Sequence, residues 1–182
     1  MQYPDDKDIL TMFRTEEGKE KAFSLMIHKY QEKLYWHIRR MVVQHEDAND
    51  VLQNLFMKAW KGLTNFREDS ALYTWLYKIA TNESLSFLDQ KKKHTAVSFE
   101  HQSIDLSETI KADQYFDARK LEWKLQLAIQ RLPQKQRLVF NLRYYDEMPY
   151  ESMSKILDTS EGALKASYHH AVKKIEEFML NH

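Results

Sequence analysis

Apolar positions in this chain recur every three or four residues almost throughout, the period of an amphipathic α-helix. Phe23, Met26, Ile27, Tyr30, Leu34, Ile38, Met41 and Val42 form one stripe. Ala48, Val51, Leu52, Leu55, Phe56, Ala59 and Leu63 form a second. Leu72, Leu76, Ile79, Ala80 and Phe87 form a third, with Asp69 or Ser70 placed to cap that helix before Ala71. Leu121, Leu125, Ala128, Ile129 and Leu132 predict a helix over 118–132. Pro133 and Pro149 then suit the first helical position of two more helices. The first of these turns Leu138, Val139, Leu142 and Tyr145 inward, the second Met153, Ile156 and Leu157. After a tight break at Asp158 and Thr159, Ser160 suits the N-cap of a last helix whose buried positions are Ala163, Leu164, Ala171, Val172 and Ile175.

Composition supports an all-α fold. Three glycines and three prolines in 182 residues are too few for a strand-and-turn architecture, while 43% hydrophobic residues suffice for real cores. The absence of cysteine excludes disulfides, thiolate metal sites and a cysteine nucleophile. The N-terminus is acidic and lacks the apolar run of a signal peptide, and no apolar stretch reaches membrane-spanning length. A cytoplasmic location and no membrane insertion are expected.

The net charge of zero conceals segregation along the chain. Residues 1–18 carry −3, residues 19–94 carry +4, residues 95–118 carry −4 and residues 119–182 carry +3. The pattern predicts an acidic N-terminal segment, a first helical domain over 19–94, an acidic flexible linker over 95–118, and a second helical domain over 119–182. Two basic blocks are thus separated by an acidic connector, a layout that whole-chain charge cannot show.

Three places carry candidate chemistry. The second helix shows Asp47, Asp50, Gln53 and Asn54 opposite its apolar stripe; on pattern alone the carboxylates cap the helix and keep it soluble. The stretch Phe66–His94 combines rings, an internal asparagine and a lysine cluster, which together can stack bases, read their edges and meet phosphates. Within it, Trp75, Lys78 and Asn82 share a stripe bordering the buried face, and Trp75 is read as core. Phe66 lies in the preceding loop, where periodicity needs no aromatic. Finally, two helices joined by a short turn at 158–160 form a helix-turn-helix. The second presents Glu161, Lys165, Ala166, Ser167, His169, His170 and Lys173, residues able to meet phosphates or base edges.

In order and spacing, the strings HEDANDVLQNLFMKAWKGLTNF, FREDSALYTWLYKIATNESLSFL and AIQRLPQKQRLVFNLRYYDEMPYESMSKILDTSEGALKASYHHAVKKI resemble an extracytoplasmic-function sigma factor of the sigma-70 family. The resemblance implies no catalytic chemistry, no cofactor and no metal. It implies core RNA polymerase and promoter DNA, duplex and melted, as partners, with an anti-sigma factor as a further one. By this resemblance Asp47, Asp50, Gln53 and Asn54 match the polymerase-binding helix. Phe66, Arg67, Glu68, Asp69, Ser70, Lys78 and Asn82 match the part that meets the start-proximal promoter element and captures a flipped base. Glu161, Lys165, Ala166, Ser167, His169, His170 and Lys173 match the helix that reads the more distant element as duplex. The acidic connector matches the linker threaded toward the polymerase active centre.

The chain departs from the family pattern at Ser154 and Asp158 in the helix-turn-helix, at Ser167 and His170 where arginines are common, and at Asn54 where glutamate is usual. A stand-alone helix-turn-helix regulator is the alternative, and a neutral chain with an acidic connector fits it poorly. An enzyme is not expected: no H-E-x-x-H spacing, nucleophile-and-base pattern or glycine-rich phosphate loop occurs.

Overall fold

The computed structural model describes residues 3–97 and 120–181. Among the described residues there are eight α-helices and no strand. The first domain comprises α1 (Asp6–Phe13), α2 (Lys19–Val42), α3 (His45–Leu63) and α4 (Leu72–Val97); the second comprises α5 (Lys120–Gln130), α6 (Gln134–Tyr144), α7 (Tyr150–Leu157) and α8 (Glu161–Asn181). The expectations for the acidic connector, from residue 98 onward, and for the Leu121 side chain lie outside the described residues. No helix among the described residues is long and apolar enough to cross a membrane.

In the first domain the predicted stripes become the core: Met26, Tyr30, Leu34, Ile38, Met41 and Val42 of α2 are buried against Ala48, Val51, Leu55, Ala59 and Leu63 of α3 and Leu72, Leu76 and Ala80 of α4. The acidic N-terminal segment is part of this core. Its helix buries Ile9, Leu10 and Phe13, and the Phe13 ring meets Trp60 edge-on at 5.5 Å. Asp6 anchors α1, accepting hydrogen bonds from Lys29 Nζ at 2.8 Å and Tyr30 Oη at 2.6 Å.

Three local readings shift. Pro133 and Pro149 are N-caps rather than first helical residues. Their backbones are extended, and their carbonyls accept the first helical bonds from Arg137 N at 2.9 Å and Met153 N at 3.0 Å. Likewise α4 begins at Leu72, with the Ala71 carbonyl accepting from Trp75 N, so neither Asp69 nor Ser70 is the cap. Ala163 is exposed, not buried, because it shares its helical azimuth with His170 and Lys174 rather than with Leu164, Ala171 and Ile175.

The turn of the helix-turn-helix is built as the residues require. Asp158 adopts the left-handed conformation, φ 47° and ψ 45°, which asparagine and aspartate tolerate better than most residues. Ser160 caps α8, its Oγ accepting from Ala163 N at 3.3 Å.

The two domains do not stand apart. Leu138, Val139, Leu142, Met148, Met153, Ile156 and Leu164 belong to the same apolar cluster as the first domain's core. A smaller cluster of Ala128, Ile129, Leu132, Phe140, Ala171 and Ile175 serves the second domain alone.

Candidate polymerase and nucleic-acid interfaces

α3 packs its apolar stripe inward and turns Asp50, Gln53 and Asn54 to solvent. Asp47 differs from them. It is half-buried, and its Oδ2 accepts from Lys91 Nζ at 2.7 Å, while the same ammonium donates to Gln44 Oε1 at 3.1 Å. Met57, one turn beyond Gln53, is 54% exposed and adds an apolar patch to this polar face. Its position outside the apolar stripe was the signal available in the sequence.

The loop after α3 is pinned at two points. The Phe66 ring lies 5.0 Å from that of Trp75, and Trp75 in turn rests on Gly62, where an added Cβ would stand 2.9 Å from the indole. Arg14 pairs with Glu68, which takes the left-handed region at φ 61°. Arg67, Glu68 and Asp69 are exposed, and Ser70 is half-buried. Phe66 is thus a half-buried ring held at a tilt against Trp75 rather than a free one, and Trp75, read as core, is half-buried beside it.

Along α4 the predicted stripe divides. Asn82 is exposed, whereas Lys78 is bound to the second domain: its ammonium reaches both Asp158 carboxylate oxygens at 3.1 Å and the Lys155 carbonyl at 3.3 Å.

α8 buries Leu164, Ala171 and Ile175 and exposes Glu161, Lys165, Ala166, His169, His170 and Lys173, with Ser167 half-buried. Lys165 Nζ lies 5.5 Å above the Tyr150 ring and 3.7 Å from Glu161 Oε2. Beneath the helix, Phe140 stacks on Tyr144 at 5.1 Å and on Tyr168 at 5.8 Å. This ladder of rings ties α6 to α8 and holds the exposed face at a fixed angle. The His169 and His170 rings, 6.2 Å apart and inclined by 56°, point to different parts of the surface.

One polar cluster has no counterpart in the sequence reading. Asp146, in the turn after α6, accepts from Arg40 Nη1 at 3.0 Å and pairs with His37 Nδ1 at 3.1 Å. His37 Nε2 meets Thr81 Oγ1 at 3.1 Å, and the Arg40 guanidinium lies 4.3 Å from the centre of the Tyr145 ring. Burial, then the Asp146 charge, pushes the Tyr73 phenol up to about 12 and raises Tyr77 further in the same direction. A cleft of about 400 Å³ opens beside the cluster, walled by Trp36, Tyr73, Tyr77 and Tyr145. His37 falls between Leu34 and Met41 at helical spacing, so a polar residue on an apolar stripe was the overlooked signal.

Comparison with known proteins accounts for both domains. Residues 26–94 match the family model for Sigma-70 region 2, and residues 122–175 that for Sigma-70, region 4. The chain is 30% identical to the RNA polymerase sigma-H factor of Pseudomonas aeruginosa, over 94% of this chain and 93% of that protein. It is also 30% identical to the ECF RNA polymerase sigma-E factor of Escherichia coli, over 93% and 92% of the two. Among solved structures it resembles the sigma factor RpoE of Bartonella quintana, in complex with the anti-sigma factor NepR (TM-score 0.70, 23% identity, 88% of this chain and 98% of that one). CnrH in complex with the cytosolic domain of CnrY is similar too (TM-score 0.69, 18% identity, 96% of each chain). A region 2 and a region 4 in series, on a chain spanning nearly all of its relatives, place this protein in the sigma-70 family: it is an extracytoplasmic-function sigma factor that directs RNA polymerase to promoters and has no catalytic site of its own.

Proposed function

We propose a division of promoter work among three surfaces of this sigma factor. The exposed face of α3, with Asp50, Gln53, Asn54 and Met57, docks on core polymerase, Asp47 shaping its edge. The loop Phe66–Ser70 together with Asn82 holds one base flipped from the non-template strand. Unstacking that base costs a few kcal/mol, so a prepared pocket rewards melting at one chosen sequence. α8 enters the major groove of the more distant element as duplex, Lys165 and Lys173 meeting phosphate or guanine and Ser167, His169 and His170 reaching base edges or phosphates.

The observation that supports this most directly is the face of α8. Its apolar side is buried, its N-terminus is capped by Ser160, and the residues of the polar side stand at the surface. Histidine and serine in place of the common arginines make its sequence preference its own. Since RpoE and CnrH were solved with NepR and CnrY bound, an anti-sigma partner is proposed for this chain as well.

Transcription by core polymerase from a promoter library tests the assignment. Lys165→Ala should lose selection at the distant element while initiation from a pre-melted bubble persists. Equal loss on both templates would refute the division.

A further inference from the structure

The loop Phe66–Ser70 is held in part from outside region 2. Residues 26–94 carry the region 2 match, whereas α1 and the turn after it lie before that span. We infer that Arg14, at the end of α1, is a positioning residue for base capture: by pairing with Glu68 it keeps the loop in the shape that receives the flipped base. The inference rests on reading that loop as the base-capturing one.

Glu68 is the reason the loop needs holding. Its φ of 61° lies in the left-handed region, where Cβ crowds the backbone and which glutamate, unlike glycine, asparagine or aspartate, seldom occupies. Such a conformation persists only where its surroundings fix it. On one side of Glu68, the Phe66 ring is fixed against Trp75, with centres 5.0 Å apart. On Glu68 itself, the carboxylate accepts from Arg14 Nη2 across 54 positions of sequence. That arginine stands on a firm base. Ile9, Leu10 and Phe13 are buried, Phe13 meets Trp60 near the end of α3, and Lys19 Nζ lies 5.5 Å from both ring centres. The turn after Arg14 is closed by Thr15, whose Oγ1 donates to the Met12 carbonyl at 2.9 Å and accepts from Gly18 N at 3.2 Å. An added Cβ at Gly18 would stand 2.5 Å from that same carbonyl oxygen, so the chain is drawn tightly back on itself.

With side chains 63% and 40% exposed, the pair adds little to the stability of the whole fold. Its leverage is local, because a small bias suffices to set which conformation a short exposed loop occupies.

Holoenzyme assembled from the full chain and core polymerase tests this on the strongest promoter it selects from a randomised library. Each base of the start-proximal element is replaced in turn, and open-complex formation is followed with a fluorescent base beside it. Arg14→Gln and Glu68→Gln should each lower the preference for the favoured base by about threefold, and the double variant should lose no more than either alone. Arg14→Lys should retain most of the preference. Core association and circular dichroism should stay unchanged, a combination that a merely structural role for Arg14 would not give. If Arg14→Gln keeps full preference while Asn82→Ala loses it, the positioning role is overturned and base capture stands. Losses that multiply in the double variant would mean that Arg14 acts on DNA directly, and equal loss for every base would mean a general attraction; either overturns the role. If Asn82→Ala keeps the preference as well, base capture fails and the inference falls with it.

Discussion

Asp47 and Lys91 meet at 2.7 Å, joining the first turn of α3 to the lysine cluster late in α4. The pair makes the acidic face of α3 uneven. Asp50 is exposed, while Asp47 is committed within the protein. The lysine cluster is likewise divided, since Lys92 donates to Gln134 of the second domain.

That unevenness sets a ranking for polymerase binding. Asp50→Ala should weaken association with core by about threefold to tenfold, with little effect on stability. Asp47→Ala should do less to association and lower stability by up to about 1 kcal/mol, the ceiling for a partly exposed pair. Competition against a labelled sigma factor, with thermal melts alongside, measures both. The reverse ranking would mean that Asp47 leaves Lys91 in the complex.

Asn82 is exposed on α4, so Asn82→Ala should change stability by less than about 0.5 kcal/mol. Open-complex formation should nevertheless fall while core association holds, as followed with a fluorescent base at the melted position. Lost association instead would mark Asn82 as a residue of the fold.

Gly62→Ala sets two effects against each other. Alanine gains about 1 kcal/mol of helix propensity, but its Cβ would sit 2.9 Å from the Trp75 indole and displace it. Net stability should therefore change by less than about 1 kcal/mol. Because the Phe66 ring packs at a tilt against Trp75, promoter melting should drop although neither ring is mutated. Unchanged melting would separate the Phe66 ring from base capture.

Two substitutions on α8 act on different quantities. Ser160→Ala removes the N-cap and should cost about 1 kcal/mol of stability. Lys165→Ala should leave stability nearly unchanged and lower the salt dependence of duplex binding by about one counterion. Salt titrations of holoenzyme on a duplex carrying the distant element would show it, and an unchanged slope would remove Lys165 from phosphate contact.

Tyr73 predicts the alkaline limit of stability. Burial, then Asp146, raises its phenol to about 12 in the folded chain against 10.0 as the ordinary value. Below pH 10 both states hold the proton and this residue adds no pH dependence. Between pH 10 and 12 only the unfolded chain ionises, so stability should fall across that window. Phenolate absorbance followed with pH gives the titration directly, and a Tyr73 that titrates at its ordinary value would contradict it.

Much of the architecture was legible because helical period is a local property. The stripes from Met26 to Val42 and from Ala48 to Leu63 are buried as their spacing requires, and Ser160 caps the helix it was expected to cap. The errors were of one residue or one azimuth: Pro133 and Pro149 stand just outside their helices, and Ala163 lies beside the buried stripe. Such details depend on which carbonyl accepts the first helical bond and on what covers each face.

The sequence by itself determined two helical units, a helix-turn-helix near the C-terminus, and a polar face on α3, on α4 and on α8. Charge segregation and periodicity suffice for that, since both are written along the chain. Only the tertiary structure decided that Tyr77, Thr81 and His37 would be buried, His37 with a partner, Asp146, from the other domain. It also decided that Lys78 would face Asp158 and that Asp146 would gather Arg40 and His37 across 106 and 109 positions. A pairing between distant charges leaves no periodic trace. It arises where two apolar faces close and the polar groups caught between them must find partners.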